Sequence, residues 1–308
     1  MSKKILKNAI RFRQPFTEKY TLTTSTNILA GHFPIQTKTT IRWSLQVMNI
    51  DDDGNTEIEL LTLENLIVDT NNANLQDIAV LNQVFGKMYS ELHLVIDIYG
   101  KVKTILNLKH IQDKWEATKQ DMKEIQEKVP ALQTLLNLND EIFNSSEKIK
   151  IAIENNEFFK HYFHRIYGKA QPITPYSVEQ LNLLQTAPTG WGYTFTIKPD
   201  YDFEHIKEIT INYKGDASEA DDSWKKKAYG HLQGVDLKKL NPVLTENGAY
   251  NFDAKTGRLH HAEIVIKEIA DPNFIHGKMH FILESDSNKK KKTVEPEKED
   301  TQRFSLFN

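Results

Sequence analysis

Hydrophobic and polar residues alternate through much of the first hundred positions. Ile41, Trp43, Leu45 and Val47 fall on one side of an extended chain, with Arg42, Ser44 and Gln46 on the other. This period of two marks a strand with one wet face. The run Asp51-Asp-Asp-Gly-Asn55 turns the chain, and residues 57–64 return as the second arm of a hairpin. A further pair is predicted where Leu92, Leu94, Ile96 and Ile98 alternate up to a Tyr99-Gly-Lys101 turn and Val102, Thr104 and Leu106 run back.

The period then changes to that of a helix. Residues 75–88 are expected to form a short one. From His110 the spacing of Ile111, Trp115, Met122 and Ile125, with Lys and Glu between them, predicts an exposed amphipathic helix that Pro130 stops or restarts. Asn144 with Glu147 three residues on resembles a capping box. Ile149, Ile153, Phe158, Phe159, Tyr162, Phe163 and Ile166 then continue to Gly168, a C-terminal cap. Residues 108–168 are therefore read as a helical insert of about 60 residues. After Pro172 and Pro175, strands are expected over 191–197, 206–213, 224–235, 249–252, 258–269 and 278–284.

The fold class predicted is α+β: a curved antiparallel sheet, or two, with a helical insert. The body spans 15–284, either as one unit or as subdomains 15–168 and 169–284. Residues 1–14 carry Lys3, Lys4, Lys7, Arg11 and Arg13 without an acid, and read as a basic arm or a frayed end. From 285 the chain becomes Lys- and Glu-rich with almost nothing apolar, and 286–302 is expected to be disordered. The closing Phe304, Leu306 and Phe307 then stand at the end of a solvated tether.

Composition narrows the chemistry. Apolar residues make up 39% of the 308 positions, and the 13 glycines still leave that share slightly below the about 45–50% usual for globular domains. With 39 basic and 42 acidic residues the formal charge is −3, so the short runs Lys225-Lys-Lys227 and Lys289–Lys292 are not expected to mark a specific nucleic-acid site. The absence of cysteine excludes disulfides, thiol nucleophiles and thiolate metal sites. No apolar run reaches the about 18 residues needed for a transmembrane helix, and a cytoplasmic location is expected.

Motifs for catalysis fail in turn. No nucleophile elbow or P-loop spacing occurs, and Gly190-Trp-Gly192 lacks the third glycine of a dinucleotide fingerprint, with Phe195 in its place. Asn49-x-Asp51-x-Asp53-Gly54 has the spacing that opens a calcium loop, but Leu60 stands where the closing carboxylate is needed. His161 and His164 share a helical face, where packing explains them better than a metal does. Glu154, Glu157, Asp140 and Glu141 read as exposed acids. No cofactor is expected.

The residues Asn247-Gly-Ala-Tyr-Asn-Phe252 and Asp253-Ala-Lys-Thr-Gly257 resemble the Phe-Asp-x-x-Thr-Gly turn of β-rich proteins of Bacteroidota. Residues 100–115 are similar to the strand-then-helix segment those proteins carry. Some of that group look like the lipoprotein-carrier half-barrel, so the resemblance implies a curved antiparallel sheet wrapped over helices. It implies no functional residue.

Two functional classes follow. The first is a non-catalytic binding protein: an adaptor, chaperone or immunity protein of a bacterial secretion or injection system, or else a carrier-like protein for a lipid or other apolar ligand. Its candidate partner-binding residues are Phe158, Phe159, Tyr162 and Phe163, too many aromatics for one helical stripe, together with Phe304, Leu306 and Phe307. The second is a metal-assisted hydrolase in which His260, His276 and His280 converge with Glu263.

Overall fold

The computed structural model describes residues 8–72, 84–126, 130–163, 165–198 and 206–289. Eleven strands form one antiparallel open curved sheet in the order β5-β4-β3-β2-β1-β11-β10-β9-β8-β7-β6. They are β1 (Phe16–Ala30), β2 (Phe33–Ile50), β3 (Thr56–Thr70), β4 (Glu91–Ile96), β5 (Val102–Ile105), β6 (Tyr176–Leu181), β7 (Pro188–Lys198), β8 (Glu208–Ala217), β9 (Val243–Asp253), β10 (Leu259–Asp271) and β11 (Ile275–Ser285). Every neighbour in the sheet is a neighbour in sequence except β1 and β11, which pair with Leu22 opposite Leu283. That seam joins the strands expected before and after the helical insert into one sheet.

The turns are built as their residues dictate. Asp51 accepts hydrogen bonds from the backbone N–H groups of Asp53 and Asn55 and from the Asn55 side chain, and Gly54 adopts φ +85°. Asp51 is thus spent on its own turn, its carboxyl held below the usual range chiefly by the Asn55 hydrogen bond. The loop is a hairpin connection rather than a cation site.

Because β5 and β6 lie at opposite edges of the sheet, the chain between them must cross its whole width. It does so as four helices: α1 (Leu108–Gln126), α2 (Pro130–Phe143), α3 (Ser146–Glu154) and α4 (Glu157–Tyr162). Ile111, Trp115 and Met122 are buried as their spacing predicts, and α2 begins at Pro130, where the missing N–H costs nothing. The cap of α3 is Ser145, one residue later than expected, accepting from Lys148 N. The single helix expected to run on to Gly168 is interrupted at Asn155–Asn156, because the Asn156 side chain accepts from Phe159 N and starts α4 afresh.

Two expectations need correction. Residues 224–235 are not a strand: α5 (Asp222–Tyr229) begins there, with Asp221 accepting from Trp224 N and Trp224 and Ala228 one turn apart. The basic arm is not frayed from Ala9 onward. Ala9, Ile10 and Phe12 are buried, Ile10 accepts from Gly168 N, and Phe12 N donates to the Tyr167 hydroxyl. Residues 1–7, most of the 75–88 helix, His164 and residues 290–308 lie outside the described residues; of the segment expected to be disordered, 286–289 form a helical turn that continues from β11.

The main core lies between one end of the sheet's concave face and the crossing helices. Phe158 stacks on Tyr162 at 5.2 Å between ring centroids and meets Trp43 edge-on at 5.4 Å, while Phe12 packs against Tyr162, Phe163 and Tyr167. Fully burying side chains of this size stabilises by about 1.5–3 kcal/mol each.

Candidate ligand-binding groove

The helices cover only part of the concave face. A second, smaller core closes the other end, where Tyr229, Ala187, Ala270 and Ile275 pack together. There the 182–187 loop is pinned over the sheet. Buried Glu268 accepts from Asn182 Nδ2, Leu183 N and the Tyr229 hydroxyl, and Asn182 Oδ1 accepts from the backbone of Thr186 and Ala187. Leu183 seats against Gly277, where a Cβ would come within 2.4 Å of it.

Between these two fillings lies a cavity of about 1030 Å³, at the upper end of the about 300–1,000 Å³ of small-molecule sites. Its floor is one row of inward positions running across the strands: Ile67 opposite Thr39, Thr39 opposite Thr24, Thr24 opposite Phe281, Phe281 opposite Ile264. At about 4.8 Å per strand spacing, the row from β3 to β10 is ~19 Å long. Ile266 and Met279 form part of the next row. The groove is therefore elongated, with an apolar floor interrupted at its middle by Thr39 and Thr24.

Its wall is polar. Glu154, Glu157, Lys160, His161 and Arg165 project from the crossing segment, and Lys101 from the turn between β4 and β5. Glu154 accepts from Lys101 Nζ at 2.9 Å and Val102 N at 2.8 Å. Glu157 accepts from His161 Nε2 at 3.1 Å, and the His161 ring lies 4.4 Å from that of Phe281 on the floor. Burial opposes the Glu157 charge, but the His161 hydrogen bond and the nearby Lys160 outweigh it and hold this carboxyl below the usual range. Expectation took Glu154 and Glu157 as plain exposed acids; both instead have defined partners in the groove wall.

The most buried part of the wall is an ion pair. Arg165 donates through Nε and Nη2 to the two oxygens of Glu246, each at 2.9 Å, with both side chains under 5% exposed. The hydroxyls of Tyr193 and Tyr213 donate to the same carboxylate at 2.9 and 2.6 Å, and Gln180 bridges Arg165 and Tyr193. The guanidinium stacks over the Tyr193 ring, 3.8 Å from its centroid. Burial weakens the Arg165 charge, and Glu246 more than restores it. Burial, reinforced by the Glu246 charge, pushes the Tyr193 phenol far above its ordinary value, so it stays a donor.

The sequence-derived site residues are distributed differently. Phe158, Phe159, Tyr162 and Phe163 come together, but in the core, at 0, 2, 1 and 5% exposure. The aromatics in excess of one helical stripe pack against Phe12 and Tyr167 rather than facing solvent, because the N-terminal segment covers them. Phe304, Leu306 and Phe307 lie outside the described residues. The histidine constellation does not converge: His276 and His280 are four residues apart on one strand, ~13 Å by the rise per residue, His280 is bonded to Glu263 at 2.7 Å, and buried His260 lies beside Asp253. Among the described residues, no three His, Asp or Glu side chains are grouped to hold a metal ion.

No family model matches the chain, and no curated protein matches it. Among solved structures it is similar to lipovitellin, in a structure titled for its lipid–protein interactions, at 8% identity and a TM-score of 0.41 over 89% of this chain. The match covers 25% of the lipovitellin chain. No helix among the described residues is long and apolar enough to cross a membrane.

Proposed function

We propose that this protein is a non-catalytic binding protein whose groove holds a chain-shaped amphiphile, with its apolar chain along the sheet and its polar end against the helix wall. The observation that carries this reading is the ~19 Å row of inward positions, which ends in Phe281 and Ile264 beneath a wall of charged side chains. The isoleucine, methionine and phenylalanine side chains of the floor, interrupted at its middle by Thr24 and Thr39, favour a mainly apolar occupant, since burial of apolar surface gains about 25 cal/mol per Å². The half-barrel resemblance seen in the sequence fits the same reading. An adaptor role would rest on Phe304, Leu306 and Phe307 alone, because the helix aromatics are committed to the core.

Native mass spectrometry of the full-length chain, purified without detergent and then extracted with organic solvent, tests the proposal. One amphiphile per chain is the expected result. A chain that emerges without one, and that also fails to take up an anilinonaphthalene dye, overturns it.

A further inference from the structure

The hydrogen-bonding groups of the groove wall are unevenly used. All three wall carboxylates are occupied: Glu154 by Lys101 and Val102 N, Glu157 by His161, Glu246 by Arg165, Tyr193 and Tyr213. The donors are not. Arg165 is 4% exposed and places Nε and Nη2 on Glu246 and Gln180, but its Nη1 group has no acceptor among the described residues. Lys160, in the groove wall, forms no ion pair among the described residues, and acts on Glu157 through its charge. Trp191, 2% exposed and also lining the groove, has an indole N–H with no partner.

Arginine, lysine and indole nitrogens can only donate. A fully buried donor without an acceptor, here the Trp191 N–H, costs about 1–3 kcal/mol; Lys160 and the Arg165 Nη1 group are open to the groove's solvent and would exchange water for a ligand oxygen. The missing complement of these three donors is an oxygen acceptor, and two of the three carry positive charge, which strengthens bonds to an anion; the buried Nδ1 of His161 in the same wall is also without a partner among the described residues.

We propose that the polar end of the groove's ligand is an anionic oxygen group, a carboxylate or a phosphate, held by Lys160 and the free Nη1 of Arg165. This rests on the groove being an amphiphile site, and names the class of amphiphile. A neutral oxygen would accept from those donors without the added strength of opposite charge, and a cationic end would leave them unmatched and face Lys160 directly.

The experiment is competition against a groove-bound anilinonaphthalene dye by four probes with one apolar chain: oleate, oleoyl lysophosphatidate, oleyl alcohol and oleylamine. Oleate or the lysophosphatidate is expected to displace the dye at least about tenfold better than oleyl alcohol, a difference of ~1.4 kcal/mol; which of the two acts more strongly separates carboxylate from phosphate. In Lys160→Met, an exposed position whose replacement leaves the core intact, that preference should shrink several-fold, because the anionic probes lose more affinity than oleyl alcohol does. Added salt should narrow the preference in the wild type, as screening weakens the exposed part of the contact. Equal displacement by all four, a preference for oleylamine, or an anion preference unaffected in Lys160→Met overturns the assignment and leaves the groove reading intact. Failure of the dye and of every probe to bind instead removes the groove reading itself.

Discussion

Gly248 on β9 lies beneath the ring of Tyr213 on β8, so close that a Cβ there would stand 2.0 Å from Tyr213 Cε1. The same holds for Gly215 and Tyr193, at 2.3 Å. Two glycines thus let two tyrosines lie flat across the sheet, and lying flat is what brings both hydroxyls onto Glu246. Backbone, aromatic packing and the buried charge of the groove wall are one arrangement.

Gly248→Ala should therefore act at a distance from its own small volume. The added methyl forces Tyr213 off the sheet and away from Glu246, and overpacking of this kind costs about 1–3 kcal/mol. Urea denaturation should show a lower midpoint with an unchanged slope. Wild-type stability in Gly248→Ala would show that the ring moves freely.

The Arg165–Glu246 pair makes a sharper case. Removing one partner leaves a buried charge uncompensated, so Glu246→Gln should destabilise by about 3–5 kcal/mol, whereas replacing both by apolar residues of similar volume is often neutral. The double variant Arg165→Met/Glu246→Leu is expected to be more stable than Glu246→Gln. A double variant losing as much as the two single losses added together would contradict this.

Much of this molecule is legible in its sequence. Period-two runs mark most strands because one face of the sheet is buried, and the turns at Asp51–Asn55 and Asp253–Gly257 carry their own side-chain caps. The sequence of α5 suits a strand as well as a helix, because Trp224 and Tyr229 favour either state; the helix is marked only by Asp221, three residues before Trp224, which caps it. The groove wall was harder to see. Arg165 and Glu246 are 81 residues apart, and only the sheet's register brings them together. One signal was present: Glu246 falls in phase with Tyr250 and Phe252 on the inward side of β9, and Glu268 with Ile264 and Ile266 on β10. An acid on an apolar face must find donors, and both do. The aromatics of α4 were ambiguous for the opposite reason, since no local pattern shows that the N-terminal segment returns to cover them.

Glu157 gives the groove wall a pH signature. Its carboxyl is depressed in the folded state, with burial opposing and the His161 hydrogen bond and Lys160 prevailing. A depressed acid stabilises the fold above its unfolded value of about 4.3, and that contribution disappears as pH falls through the lower folded value. The difference in Tm between wild type and Glu157→Gln should accordingly be at its full value near about pH 5 and shrink below about pH 4. A difference that stays flat down to about pH 3 would place the source of the depression elsewhere.

Filling the groove separates binding from folding. Ile266 on β10 and Met279 on β11 are cross-strand partners on its floor, each only partly buried. Both pack against the edge of the main core and line the open groove, so a larger side chain at either position has groove space to enter and the overpacking cost of about 1–3 kcal/mol is largely avoided. Ile266→Trp should keep or slightly raise Tm while abolishing uptake of an anilinonaphthalene dye, and an extracted amphiphile should be absent from the purified variant. Were Ile266→Trp to lose stability by the amount expected of a core position, the floor would have to be closed in solution, and the ligand reading would lose its space.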